Sequence, residues 1–141
     1  MAMKSAAEIV VESLAVNGIE TLFCLPGIQN DPFFAALYDS DIRAINARHE
    51  QGVAYMALGA ALATGKPQAF AVVPGPGFLN TTSALATAYA TGAPVLCMAG
   101  EVATGAIGKG YGQLHELPDQ MGIMSRLTKW SGRVSSAGDA A

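Results

Sequence analysis

The sequence is poor in charge. Only 13% of its residues are Asp, Glu, Lys or Arg, where about 25% is usual for a soluble domain. Eight basic residues against eleven acidic ones leave a net charge of −3. That balance offers no basic stripe for a nucleic-acid backbone. It does not signal disorder, because 51% of the residues are hydrophobic, enough to offset the entropy of ordering a chain. Cysteine and histidine are scarce too: Cys24, Cys97, His49 and His115 are all there is. Nothing among them has the short spacing that metal sites use, so no metal ligands are expected. Both cysteines sit in apolar, strand-like runs and read as buried, reduced thiols. Long hydrophobic runs are missing as well. A membrane span needs about 18 to 20 apolar residues. The stretch 53–64 is short and carries Gly59, and 84–100 is broken by Thr87, Thr91, Gly92 and Pro94. The opening MAMKSAAEIVVES has neither the apolar core nor the cleavage site of a secretory leader. The expectation is a cytoplasmic domain with no membrane and no nucleic-acid partner.

What is present is an alternation of two kinds of segment within 141 residues. A chain of that length makes one domain and buries about 68–70% of the surface that its unfolded form exposes. Ser5-Ala-Ala-Glu8 is a capping box opening a helix that carries Ile9, Val10 and Leu14 and stops at Asn17-Gly18. Residues 21–25 (TLFCL) form an apolar run closed by Pro26-Gly27, a strand followed by a turn. Asp31-Pro32 starts a second helix, 41–46 is a second strand, and 50–64 is an Ala- and Leu-rich helix ending at Gly65-Lys66-Pro67. A third strand at 68–73 runs into the turn Pro74-Gly75-Pro76-Gly77. A helix over 79–91 follows, with Asn80, Thr81 and Thr82 as candidate caps, then a fourth strand at 94–98. Beyond Gly100 the glycines at 105, 108, 110 and 112 make a flexible loop. A helix over about 118–126 and a strand over 128–134 are expected after it.

Strands that are apolar throughout, with no inside–outside alternation, are the parallel kind covered by helices on both faces. The fold class is therefore α/β, three layers (α/β/α), with an open, mostly parallel sheet and right-handed crossovers. Ligands in such sheets meet the carboxyl ends of the strands. The unusual residues gather there: Pro26-Gly27, Arg48-His49-Glu50, Gly75-Pro76-Gly77 and Gly100-Glu101. Glu50 at a helix start is an ordinary partner for the helix dipole, worth about 0.3–1 kcal/mol. Facing a cleft at a strand end, the same carboxylate suits general acid work. Gly75-Pro76-Gly77 serves as a tight turn, or as backbone that approaches a ligand closely. Neither G-x-G-x-x-G nor G-x-x-x-x-G-K-[ST] occurs, so the domain has no phosphate cradle of its own.

Taken in order, LPG at 25–27, RHEQGVAYMALGAALATGKP at 48–67, AVVPGPGFLNTTSALATAYATGAPVLCMAGE at 71–101 and TKWS at 128–131 resemble one family. They are similar to the N-terminal, pyrimidine-binding (Pyr) domain of thiamine-diphosphate-dependent enzymes, in the acetolactate synthase-like branch. The resemblance covers about residues 5–134, with 135–141 as the start of a linker. It implies that Glu50 is the catalytic glutamate, hydrogen-bonding the aminopyrimidine nitrogen and driving the ring to its imino form. That form deprotonates the thiazolium carbon, and the cofactor then serves as electron sink for decarboxylation or carboligation of a 2-keto acid. Pro26, Gly27, Gly75, Pro76, Gly77 and Asn80 match the segments that line the ring. Gln113 falls where related enzymes carry a glutamine pointing at the reaction centre. The family pattern F-Q-E is here Gly112-Gln113-Leu114-His115-Glu116, a departure that leaves substrate choice open and makes His115 a second substrate-facing candidate.

The resemblance also implies a partner. In the family a pyrophosphate-binding (PP) domain grips Mg2+ and the diphosphate through a G-D-G segment. Gly138-Asp139-Ala140 is not that segment. The expectation is that a PP domain of the same longer protein, or of a separate subunit, completes the site, that Pyr domains pair as a homodimer or tetramer, and that the isolated chain is inert. A non-catalytic Pyr-like scaffold or regulatory domain is the alternative.

Overall fold

The computed structural model describes residues 4–140. Residues 1–3 of the N-terminal reading and residue 141, the end of the expected linker, lie outside them. Among the described residues six α-helices and four strands follow one another: α1 (Ala6–Val16), β1 (Thr21–Cys24), α2 (Asp31–Tyr38), β2 (Arg43–Asn46), α3 (Glu50–Thr64), β3 (Gln68–Val72), α4 (Pro76–Leu79), α5 (Thr82–Thr91), β4 (Val95–Ala99) and α6 (Gln120–Leu127). The capping box forms as expected. Ser5 Oγ accepts from the Glu8 amide at 3.2 Å, and the Ser5 amide donates to Glu8 Oε2 at 2.7 Å, which satisfies two amides at a helix start.

The strands lie in the order β2-β1-β3-β4, all parallel. Each central strand divides its side chains between two cores, because successive residues point to opposite faces. Leu22, Cys24, Ala69 and Ala71 meet Val11, Leu14 and Leu37 of α1 and α2. Phe23, Phe70 and Val72 meet Val53, Ala57, Ala84 and Leu85 of α3 and α5. Full burial of Phe70 and Leu22 stabilises by about 1.5–3 kcal/mol for each side chain. This is the three-layer α/β/α arrangement that the uninterrupted apolar runs imply.

Three expectations need correction. Residues 128–134 form no strand; 128–132 border a cleft at the outer edge of β4, which among the described residues pairs only with β3. The expectation of strands covered on both faces holds for β1 and β3, whereas β2 is largely exposed and β4 half-buried, because an edge strand has a neighbour on one side only. The Pro74–Gly77 turn is shorter than expected: helix begins at Pro76, pauses at Asn80 and Thr81, and resumes at Thr82. Thr81 does not cap by its side chain; its hydroxyl donates back to the Phe78 carbonyl at 2.7 Å. Residues Ala137–Ala140 form a 3-10 turn, with Ala140 buried and its carbonyl accepting from Ser13 Oγ of α1 at 2.9 Å.

Candidate functional site at the carboxyl ends of the strands

Because the sheet is parallel, the segments leaving all four strands emerge on one edge. Chain leaving β2 turns at Arg48 and enters α3 with Glu50 as its first residue. His49 is the N-cap, its Nδ1 accepting from the Gln51 amide at 3.1 Å. This frees the Glu50 carboxylate from capping duty, and it turns instead to the segment beyond β3. There Asn80 Nδ2 donates to Glu50 Oε2 at 3.0 Å. A second link, Gln51 Nε2 to Ser83 Oγ at 3.2 Å, runs between α3 and α5.

Gly75 opens that segment in a conformation reserved for glycine, φ +58° and ψ −118°. Space is closed to a side chain as well, since a Cβ on Gly75 would collide with the backbone carbonyl of His115. Gly27 and Gly77 are glycine for lack of room rather than for dihedral reasons: each lies against Val73, and a Cβ on Gly77 would also come within 3.5 Å of Glu50 Oε1. Bare backbone therefore reaches Glu50 from the β3 side. Pro26 borders a shallow cleft with Leu25, Asn46, Ala47 and Arg48, at the carboxyl ends of β1 and β2.

The fourth wall comes from the chain after β4. Gly108, Gly110 and Gly112 all take positive φ, and the Glu116 carboxylate gathers the loop by accepting from the Gly110 and Gln113 amides, both at 2.9 Å. Those hydrogen bonds hold its carboxyl below the ordinary carboxylate range. Gln113 itself stays exposed. His115 is half-buried and takes φ +67°, the one non-glycine in the left-handed region among the described residues. Its Nδ1 is buried without a hydrogen-bond partner, as is Gln29 Oε1, and Gln29 Nε2 donates to the neighbouring Leu114 carbonyl at 3.1 Å.

The sequence-expected residues thus separate into groups. Glu50, Asn80, Gly75, Pro76 and Gly77 converge, and Gly27 joins them through Val73. His115 reaches the same cluster by its backbone, while the Gln113 side chain makes no recorded hydrogen bond there. Sequence reading missed Gln120, which is buried and donates and accepts between two of the strand-end loops. A lone amide directly after the capping Asp119, in the first turn of an otherwise unremarkable helix, gives no motif.

A second cleft, about 360 Å³, lies at the outer edge of β4 between Leu96, Met124 and the exposed Trp130. None of the candidate residues lines it. Cys97 borders this cleft and is only half-buried, against the expectation of two sealed thiols, because β4 is an edge strand. Both thiols are unbridged, and desolvation pushes Cys24 up to about 11 and Cys97 up to about 12. Among the described residues no group of three or more His, Cys, Asp or Glu side chains comes together, and no helix is long and apolar enough to cross a membrane.

A parallel α/β domain that sets an oriented carboxylate against bare backbone at the strand ends has the layout in which open sheets of this class bind ligands. The family described as thiamine pyrophosphate enzyme, N-terminal TPP binding domain, matches residues 4–123, and the chain belongs to it. The chain is 37% identical over 127 residues to a probable 2-ketoarginine decarboxylase of Pseudomonas aeruginosa, covering 90% of this chain and 23% of that protein. It is 37% identical over 140 residues to the acetolactate synthase isozyme 3 large subunit of Escherichia coli, covering 99% and 24%. Among solved structures, a thiamine diphosphate-dependent 4-hydroxybenzoylformate decarboxylase of Rhodococcus jostii RHA1 superposes with a TM-score of 0.83 at 28% identity, over 94% of this chain and 24% of that one. The chain therefore spans about a quarter of the length of these relatives.

Proposed function

We propose that this chain supplies the aminopyrimidine-binding half of the active site of a thiamine-diphosphate-dependent enzyme that decarboxylates or carboligates a 2-keto acid. The observation that carries the reading is the Glu50 carboxylate, held by Asn80 beside the bare Gly75–Gly77 backbone. A carboxyl at that place shares a proton with a ring nitrogen through a short, charge-assisted hydrogen bond. Pro26, Gly27, Gly75, Pro76, Gly77 and Asn80 bound the ring, and glycine there lets backbone lie close to it. When bound, thiamine diphosphate supplies a carbon nucleophile and an electron sink. Gln113 and His115, on the loop gathered by Glu116, face the substrate. A scaffold domain would have no use for an oriented carboxylate at a ligand edge, which favours the catalytic reading.

The diphosphate and Mg2+ belong to a PP domain, carried by the same longer protein or by a separate subunit. Residues 1–134 are the Pyr domain, and 135–141 begin the connection onward. Alone, the chain is inert in this reading. Pairing through Pyr domains into a homodimer or tetramer, in the cytoplasm, fits the low charge and the exposed Tyr55 and Leu62 of α3, which share a helix face at a spacing of two turns. The test is Glu50→Gln in the full-length protein or the reconstituted complex, assayed for release of carbon dioxide from 2-keto acids. Near-complete loss of turnover is expected; wild-type rates would overturn the reading.

A further inference from the structure

Gln120 is buried at 6% exposure, at the start of α6, and both ends of its amide are engaged. Its Oε1 accepts from the Gly75 amide at 2.8 Å, and its Nε2 donates to the Gly100 carbonyl at 2.9 Å. Gly75 opens the segment leading to Glu50 and Asn80, and Gly100 follows directly on β4. Neither backbone group has its partner in the sheet ladder or a helix at that point, so without Gln120 the buried Gly75 amide and the half-buried Gly100 carbonyl would each be left short of a hydrogen bond. The His115 carbonyl also lies where a Gly75 side chain would stand. Asn30, also buried, donates to the carbonyl of Val72, the last residue of β3, at 2.8 Å. The turn is thus held at its root by Asn30, at Gly75 by Gln120, and at its far end by the Asn80–Glu50 bond.

We infer that Gln120 is a positioning residue: it ties the loop after β4 to the Gly75 turn, and through that turn sets where Gly77 and Asn80 stand relative to Glu50. This rests on the aminopyrimidine reading of the site. Only a side chain with an acceptor and a donor two bonds apart serves both backbone groups at once. A neutral carboxyl has that pattern, with its carbonyl facing the Gly75 amide and its hydroxyl facing the Gly100 carbonyl. A carboxylate lacks the donor and places charge against a carbonyl oxygen.

The experiment uses the full-length protein or the reconstituted complex with three variants. In Gln120→Leu the dissociation constant for thiamine diphosphate, read by calorimetric titration, rises about tenfold or more, the net scale of losing the two hydrogen bonds of one buried amide, while KM for the 2-keto acid stays within about twofold of wild type. In Gln120→Glu, activity relative to wild type rises as pH falls from about 8 to about 6, since burial raises the carboxyl's pKa and protonation restores the donor. This second variant decides the matter if the leucine variant does not fold, because its pH response is read against wild type in the same folded protein. Wild-type cofactor affinity in a folded Gln120→Leu, or a ratio flat with pH in Gln120→Glu, overturns the assignment. Glu50→Gln run in parallel separates the two layers: an active Glu50→Gln sinks the aminopyrimidine reading, whereas an inactive one beside an unaffected Gln120→Leu sinks only the role of Gln120.

Discussion

Asn80 donates a hydrogen bond of 3.0 Å to the Glu50 carboxylate, joining the break between α4 and α5 to the first residue of α3. The bond fixes one carboxylate oxygen and leaves the other beside Gly77. Asn80 is exposed, so its value lies in orientation more than in stability. Replacing it with Ala is expected to lower kcat roughly three- to tenfold, the scale of one solvent-accessible hydrogen bond. Asn80→Asp is expected to cost more, because like charges at this distance repel. Steady-state kinetics of both variants in the full-length protein check this, and an Asp variant faster than the Ala variant would contradict it.

Gly75→Ala meets two penalties together, a positive φ and the His115 carbonyl. The dihedral alone costs about 1–3 kcal/mol, and the clash adds to it. Thermal denaturation of the isolated chain should show a midpoint lower by several degrees, about 2–8 °C per kcal/mol for domains near this size. An unchanged midpoint would mean that the turn is not held as described.

The thiols supply a test at alkaline pH. Burial raises Cys24 to about 11, above the unfolded value near 8.5. A group raised in the folded state contributes its stability fully below the unfolded pKa and loses it as pH climbs through the folded one. Thermal stability should therefore decline from about pH 9 toward pH 11 more steeply in the wild type than in Cys24→Ala. Alkylation of Cys24 by iodoacetamide at about pH 8 should be slow in the native state and fast in denaturant.

Glu116 gives the opposite sign. Its carboxyl is lowered, first by the Gln113 amide, so its hold on the loop is present above the unfolded carboxylate range and is lost as pH falls through the folded value. Glu116→Gln should speed hydrogen exchange at the Gly110 and Gln113 amides without shifting the global melting midpoint, because the group is exposed. Equal exchange in the two proteins would exclude the arrangement.

Much of the fold was legible in the chain. The Ser5–Glu8 capping box and the apolar runs at 21–25 and 68–73 specify their elements locally, and the structure follows them within a residue or two. Glu50 was legible for the same reason: a carboxylate at a helix start directly after a strand falls at the ligand edge of any parallel sheet. The run at 128–134 has a strand-like sequence but does not pair, since pairing is decided by what the edge of β4 meets and not by the segment's own pattern.

By itself, then, the sequence determined the α/β alternation, the parallel sheet and the edge at which the candidate residues gather, because periodicity and caps act over a few residues. Only the tertiary structure decided that Asn80 faces Glu50, that His115 takes a left-handed backbone against Gly75, and that Gln120 bridges Gly75 and Gly100. Those contacts join residues 20 to 45 positions apart, and their energy depends on burial and on backbone groups left over by the sheet, which no local pattern records.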